Sequence, residues 1–180
     1  MEQSLKSLQA KELPTSPAAL LAVLDNLGIA YKLHNHPPIF TVAEGLHLKE
    51  SIPGLHCRNL FLRDKKEIMY LVVVANDTKV DLKNLEKLLG SARLSFGSPE
   101  RLWTHLGITP GSVCPFAAIN DREHKVTVIL DAYMMKAETV CYHPLDNAQT
   151  IGLSPDDLLR FFAHTGHSPK ILDLSALSPT

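Results

Sequence analysis

The sequence predicts an α+β fold: one domain in which a mixed, mostly antiparallel sheet is flanked by helices. Three observations carry that expectation. Capped segments with apolar residues at helical spacing alternate irregularly with short β-rich runs. Several of those runs are joined by turns too short to hold a crossover helix, which favours hairpins over a doubly wound parallel sheet. Finally, 180 residues with 45% hydrophobic and 21% charged side chains suit one ordinary globular core.

Taken in order, residues 1–14 are polar and unpatterned and read as a loose arm, leaving 15–175 as the domain. Ser16-Pro17 supplies an N-cap followed by proline at the first helical position. Leu20, Leu21, Val23, Leu24 and Leu27 then recur at helical spacing up to Gly28. Ile29 to Leu33 reads as a short strand, stopped at His36-Pro37-Pro38. Thr41-Val42-Ala43-Glu44 has the capping-box pattern that opens a helix. Arg58 to Arg63 and Glu67 to Val74 form a hairpin through Asp64-Lys65-Lys66. Asp81 caps a helix whose Leu82, Leu85, Leu88 and Leu89 share a face and which stops at Gly90. Ser98-Pro99-Glu100 opens another, ending near Gly107, and residues 107–115 follow as a Gly/Pro-rich loop. Phe116 to Ile119 and Lys125 to Leu130 are expected to form a second hairpin. Thr139 to Tyr142 is a strand before His143-Pro144, and Ser154-Pro155 caps a last helix that Gly166 ends.

Eighteen Lys+Arg against nineteen Asp+Glu leave a formal charge of -1. Such a chain lacks the overall positive charge that drives non-specific nucleic-acid binding, so any such contact must be local. The longest apolar run, Met69 to Ala75, falls far short of the ~20 residues that span a bilayer. Met1 to Lys6 has no apolar signal core. No membrane contact and a cytoplasmic location are therefore expected. Cys57, Cys114 and Cys141 are odd in number and form no CxxC, which suggests neither disulfides nor a zinc site. Nine histidines include His34-x-His36, but no carboxylate at helical spacing completes a metal set, and no metal is expected.

Three stretches hold more special residues than folding requires. In the strand from Cys57 to Arg63, Cys57, Asn59 and Phe61 face one side while Arg58, Leu60 and Leu62 face the other. Arg58 thus shares a face with apolar side chains, so its guanidinium either reaches a cleft or snorkels to solvent. In Gly107 to Phe116, two glycines and two prolines impose an unusual backbone path. Amides turned inward there can bind an anion or an oxyanion, though a tight connection is the commoner use of such residues. In Cys141 to Thr150, a strand ends in His-Pro with Asn147 and Thr150 nearby. There His143 either orients a water or ribose hydroxyl or simply bonds the local backbone.

These stretches, in this order and spacing, resemble the YbaK/prolyl-tRNA editing superfamily, most closely its freestanding Ala-tRNA(Pro) deacylases of the ProXp-ala type. The matching residues are His36 to Thr41, Pro53-Gly54, Asn59 to Asp64, Leu94 to Phe96, Gly107 to Val113, Pro115-Phe116, His143 to Leu145, Asn147 and Gly166 to Pro169, spread from about Ser16 to Leu174. The resemblance implies a curved mixed sheet flanked by helices. It also implies hydrolysis of the ester joining a wrong amino acid, chiefly alanine, to tRNA(Pro), with no metal or cofactor.

On that basis the family's GxxxP loop corresponds to Gly111 to Pro115, with Gly111 and Ser112 at the oxyanion and Val113, Cys114 and Pro115 against the aminoacyl group. His143 and Asn147 would lie beside the terminal nucleotide, next to Asn59. Ile39, Phe40, Thr41 and Leu60 would shape the substrate pocket. One departure stands out, for the family carries lysine where this chain has Arg58. Arginine can serve as a cationic clamp but cannot release a proton, since its pKa lies above ~12. The partners implied are the acceptor end of aminoacylated tRNA(Pro), met by a small basic cluster of Arg58, Arg63, Lys65 and Lys66, and prolyl-tRNA synthetase. Two other readings stand beside this one: a deacylase for another mischarged tRNA (Cys, Ser or Thr), and a catalytically silent module that binds tRNA or the synthetase.

Overall fold

The structure, a computed structural model, describes residues 2–175. Helix α1 (Glu2–Gln9) leads into α2 (Pro17–Asn26), β1 (Tyr31–Asn35) and α3 (Val42–Ser51). The long hairpin β2 (Leu55–Asp64) and β3 (Met69–Ala75) follows, then α4 (Leu82–Leu89), β4 (Leu94–Phe96) and α5 (Pro99–Leu106). After a loop and a 3₁₀ turn at Pro115–Asn120 come β5 (Val126–Asp131), β6 (Val140–Tyr142), β7 (Gln149–Leu153), α6 (Pro155–Thr165) and β8 (Lys170–Leu172).

The expected caps are in place. Ser16, Ser98 and Ser154 each accept a hydrogen bond from the backbone N–H three residues on, with proline opening the helix. Thr41 and Glu44 form a complete capping box, and Asp81 caps α4. Helices α4, α5 and α6 stop where Gly90, Gly107 and Gly166 take up left-handed backbone.

The sheet runs β1-β7-β6-β2-β3-β5-β8, with β4 added beside β2. Pairings β1/β7, β6/β7, β2/β3 and β2/β4 are antiparallel, while β2/β6, β3/β5 and β5/β8 are parallel. The sheet is therefore mixed, and less dominated by antiparallel pairs than hairpin-linked strands suggest. Strand β3 lies near its centre and is covered on both faces, which explains its unbroken Met-Tyr-Leu-Val-Val-Val-Ala. Leu71 and Val73 enter the larger core with Leu20, Leu24, Leu106, Phe116, Phe161 and Phe162. Tyr70, Val72 and Val74 enter a second core on the other face with Leu62, Leu85 and Ile129.

Four expectations are corrected. Residues 2–9 are a helix rather than part of a loose arm: Leu8 is buried, Leu5 half-buried, and Ser4 Oγ donates to the Glu100 carboxylate of α5. Phe116 to Ile119 is not a strand. Pro115 starts a 3₁₀ turn whose Phe116, Ala117 and Ala118 are buried, so three consecutive side chains enter one and the same core, which strand alternation would forbid. The first strand starts two residues later than its apolar run. Strands β4, β7 and β8 went unpredicted, being three to five residues long and fixed by their partners rather than by pattern.

A buried polar pair ties the 3₁₀ turn to the end of α6. His167 Nε2 lies 3.0 Å from Asp121 Oδ2, and Asp121 also accepts from Lys125 N and Val126 N. Burial works to raise the Asp121 pKa, but the hydrogen bonds from His167, Val126 N and Lys125 N outweigh it and hold the carboxyl below its ordinary value. A folded pKa below the unfolded one stabilises fully above the unfolded value, ~3.9, and the benefit is lost as pH falls through the folded value. Removing one partner of such a pair leaves the other buried alone, so His167→Ala is expected to cost about 3–5 kcal/mol in urea unfolding. The wild type's advantage over the variant should shrink below about pH 4; an advantage that is unchanged at pH 3 contradicts the assignment.

Candidate active site

A cleft opens where two parallel strands part. β6 pairs with β2 only at Leu55–Val140 and His56–Cys141, and β4 rejoins the same edge of β2 at Leu62. Between these contacts, Cys57 to Leu60 have no strand neighbour on that edge. Gly54 makes the close approach possible. Its φ is +125°, and a Cβ there would lie 2.7 Å from Cys141 Sγ.

The resulting cavity, about 120 Å³, is lined by His56, Cys57 and Asn59 from β2, Asn76, the end of β6 from Cys141 to His143, and Thr150 from β7. Ile39, Gly45 and Leu48 close it from the segment before α3 and from α3 itself. Asn59 Oδ1 is buried there without a hydrogen-bond partner. An unpaired buried carbonyl is costly, so a water or a ligand group that donates to this oxygen is favoured. The His143 ring donates from Nδ1 to Gln149 O at 2.8 Å, which leaves Nε2 as acceptor in the neutral ring. Burial is the main cause that holds the His143 pKa below 6.5, with the nearby His36 acting in the same direction.

The turn from His143 to Gln149 organises the surroundings. Leu145 is buried with φ +68°, an uncommon conformation for a side chain of its size. Asn147 exchanges hydrogen bonds with the Ile39 backbone, Ile39 N to Asn147 O and Asn147 Nδ2 to Ile39 O. His36 N donates to Ala148 O, and His36 Nε2 lies 2.9 Å from Thr150 Oγ1. On the far side of the turn, Ser112 lines a separate cavity of about 280 Å³ with Leu145, Asp146 and residues of the N-terminal segment.

The sequence-predicted residues therefore divide. Ile39, Asn59, His143 and Asn147 come together around the cleft. Arg58 points to the opposite face of β2, where Nη2 donates to Thr78 O at 2.7 Å and Nε is buried without a partner. Leu60 packs on the second core and does not shape the cavity. Thr41 spends its hydroxyl on the helix cap. Phe40 is 81% exposed, too far out to line a size filter. Gly111 is exposed with φ +96°, and the Ser112 amide is used in a turn to Thr109 O. Val113 packs against the larger core and Cys114 and Pro115 are buried. The expected basic cluster is not at the mouth. Arg63 pairs with Glu67, which also holds Arg101, and five residues of strand put it about 17 Å from Arg58.

Sequence reasoning missed His56, Asn76 and Leu48, which carry no motif and are gathered by tertiary packing, and it named Thr150 only as a polar neighbour of His143. The thiols are not nucleophiles in waiting: burial pushes Cys57 up to about 12 and Cys114 and Cys141 up to about 11. Among the described residues, no group of three His, Cys, Asp or Glu is arranged to hold a metal ion, and no helix is long and apolar enough to cross a membrane.

Fold and cleft together define a mixed α/β domain with a small, partly open cleft, carrying a few polar groups, where two strands part. Its sequence matches the family model of the aminoacyl-tRNA editing domain over residues 36–161. The chain belongs to that family. It is 39% identical over 157 residues to the prolyl-tRNA editing protein ProX of Acetoanaerobium sticklandii, covering 87% of this chain and 96% of that one. It is 38% identical to the prolyl-tRNA synthetase associated domain-containing protein 1 of Bos taurus, over 87% of this chain and 94% of the relative. A solved structure described as a candidate trans-editing enzyme for prolyl tRNA synthetase superposes with a TM-score of 0.67 at 21% identity, covering 91% of this chain and 98% of that one.

If Asn59 Oδ1 and neutral His143 receive the ligand's polar hydrogens, Asn59→Ala should lower kcat/KM about 10- to 100-fold with unfolding unchanged. Because the His143 pKa lies below 6.5, more than half of the full activity should remain at pH 6.5, with the rest lost on further acidification. A pH–rate profile already halved at pH 7 contradicts this role.

Proposed function

We propose that the protein removes a wrongly attached small amino acid, alanine above all, from tRNA(Pro) by hydrolysis of the aminoacyl ester in trans. The single observation that carries the reading is the cleft that joins the unpaired Asn59 carbonyl to the acceptor nitrogen of His143. Its volume of about 120 Å³ suits a small side chain.

An aminoacyl ester is already activated, so positioning and charge stabilisation suffice. Asn59 Oδ1 takes a hydrogen bond from the substrate's amino group. His143 Nε2 accepts one from the attacking water or from the free ribose hydroxyl beside the ester. Water adds to the carbonyl carbon, the carbon–oxygen bond to the ribose breaks, and the leaving oxygen takes a proton. Free amino acid and uncharged tRNA result. The Gly111 to Pro115 loop lies across the 143–149 turn, where half-buried Ser112 lines the separate 280 Å³ cavity with Leu145 and Asp146, so we assign it to backing that turn rather than to the ester itself. Arg58 acts through the Thr78 loop as a positioning residue; Asn76, two residues away, lines the cleft.

The need for such an enzyme is physical. A synthetase pocket built for proline excludes the smaller alanine by only ~10–200-fold, and a second site that takes the smaller residue makes up the difference. This reading places the protein in the cytoplasm, with the acceptor end of tRNA(Pro) as its substrate and prolyl-tRNA synthetase as a further partner.

Purified protein incubated with tRNA(Pro) carrying alanine, cysteine or proline, and with Ser- and Thr-charged tRNAs, tests it. Alanine release well above the spontaneous rate, with proline retained, is expected. Preferred release of cysteine, serine or threonine reassigns the substrate, and no release from any member sinks the hydrolase. Arg58→Lys should stay within about 10-fold of the wild type; a ~100-fold gain, the scale of a positioned acid or base, would mean that a proton-transferring lysine is missing.

A further inference from the structure

Phe40 is the most exposed large apolar side chain of the described residues, at 81%, yet the backbone on either side of it is hydrogen-bonded. Pro37 and Pro38 limit the approach to it. Ile39, just before it, is bonded to Asn147 in both directions. The amides of Phe40 and Thr41 both donate to Glu44 Oε2 at 2.9 Å. Ile39 turns inward and lines both the 120 Å³ cleft and a neighbouring cavity of about 300 Å³, and Phe40, which lines neither, is the next residue outward from that shared wall. A lone exposed phenylalanine on a loose loop needs no explanation. One whose backbone is tied on both sides, next to a residue that lines the cleft, does, since a ligand leaving the site would meet its exposed ring.

We propose that Phe40 is a stacking platform for the last unpaired nucleobase of the acceptor end. The inference rests on the reading of the cleft as a deacylase site. The ester sits on the terminal ribose, so that ribose's own base lies within a few ångströms of the reacting carbon and must emerge at the rim. An aromatic face there gains from every base alike, because every base has a π-face. Charge points the same way. The chain carries -1 overall, and Arg63 is tied up with Glu67 at the far end of β2, leaving phosphate contacts a smaller share of the binding. Phe40 is thus a substrate-positioning residue that holds the nucleotide while Asn59 and His143 meet the ester.

The test combines kinetics and binding. On Ala-tRNA(Pro), Phe40→Ala and Phe40→Leu should both raise KM by about 5- to 150-fold, the worth of one base–aromatic stack, with little change in kcat. Phe40→Trp should stay within about threefold of the wild type. A substrate whose terminal nucleotide lacks its base should cost the wild type the same factor and cost Phe40→Ala nothing further. Binding of an uncharged RNA hairpin with an unpaired 3′ end supplies a readout independent of hydrolysis, and the Kd should rise by the same factor in Phe40→Ala. Phe40→Leu behaving as wild type, additive losses, or an unchanged hairpin Kd would each overturn the proposal. Were the wild type unable to release alanine while its hairpin Kd still depended on Phe40, the hydrolase reading would fall and the platform would stand.

Discussion

Everything in the site depends on the brevity of one strand pairing. β6 runs parallel to β2 for two residue pairs and then leaves it. A longer ladder would fill the edge of β2 with hydrogen bonds and close the cleft; no ladder would let His143 drift from Asn59. Two features hold the pairing at this length. Gly54 lets the backbone press against Cys141 and Thr139, and the 143–149 turn, with Leu145 in left-handed backbone, redirects the chain into β7. The cost of that conformation, roughly 1–3 kcal/mol, is offset because Leu145 buries its side chain in the larger core.

The chemistry follows from the resulting enclosure. Burial keeps the His143 ring neutral near pH 7, and the same burial keeps three thiols protonated. The site therefore presents acceptors and no strong nucleophile, which suits a reaction whose nucleophile is water and whose substrate brings its own hydroxyl. Charge is used sparingly. Arg58, whose neighbours Cys57 and Asn59 line the cleft, is turned to the other face of β2 and bound to a backbone carbonyl.

Much of the scaffold was legible because it is written in local signals. Ser16, Thr41, Asp81, Ser98 and Ser154 are caps whose hydrogen bonds lie within three residues, and the β2–β3 hairpin declares itself through Asp64-Lys65-Lys66. Alternation along β2 correctly separated Asn59 from Arg58. It could not say which face holds the cleft, and the resemblance placed both on the same task. Phe116 to Ile119 misled because an apolar run of four looks the same whether a strand or a 3₁₀ turn buries it. Phe40 was read as a pocket wall because its type suits one; only its 81% exposure shows that it faces outward.

The sequence by itself determined the class of fold, the capped helices α2, α4, α5 and α6 with their ends, the β2–β3 hairpin and membership of a family, since these rest on periodicity, capping and motif. The tertiary structure alone decided which motif residues meet. It drew His143, Asn59 and Ile39 to one cleft, set Ser112 beside another cavity and carried Arg58 and Leu60 away. Those outcomes hang on strand register and on where two strands part, and both are set by contacts between residues far apart in the chain.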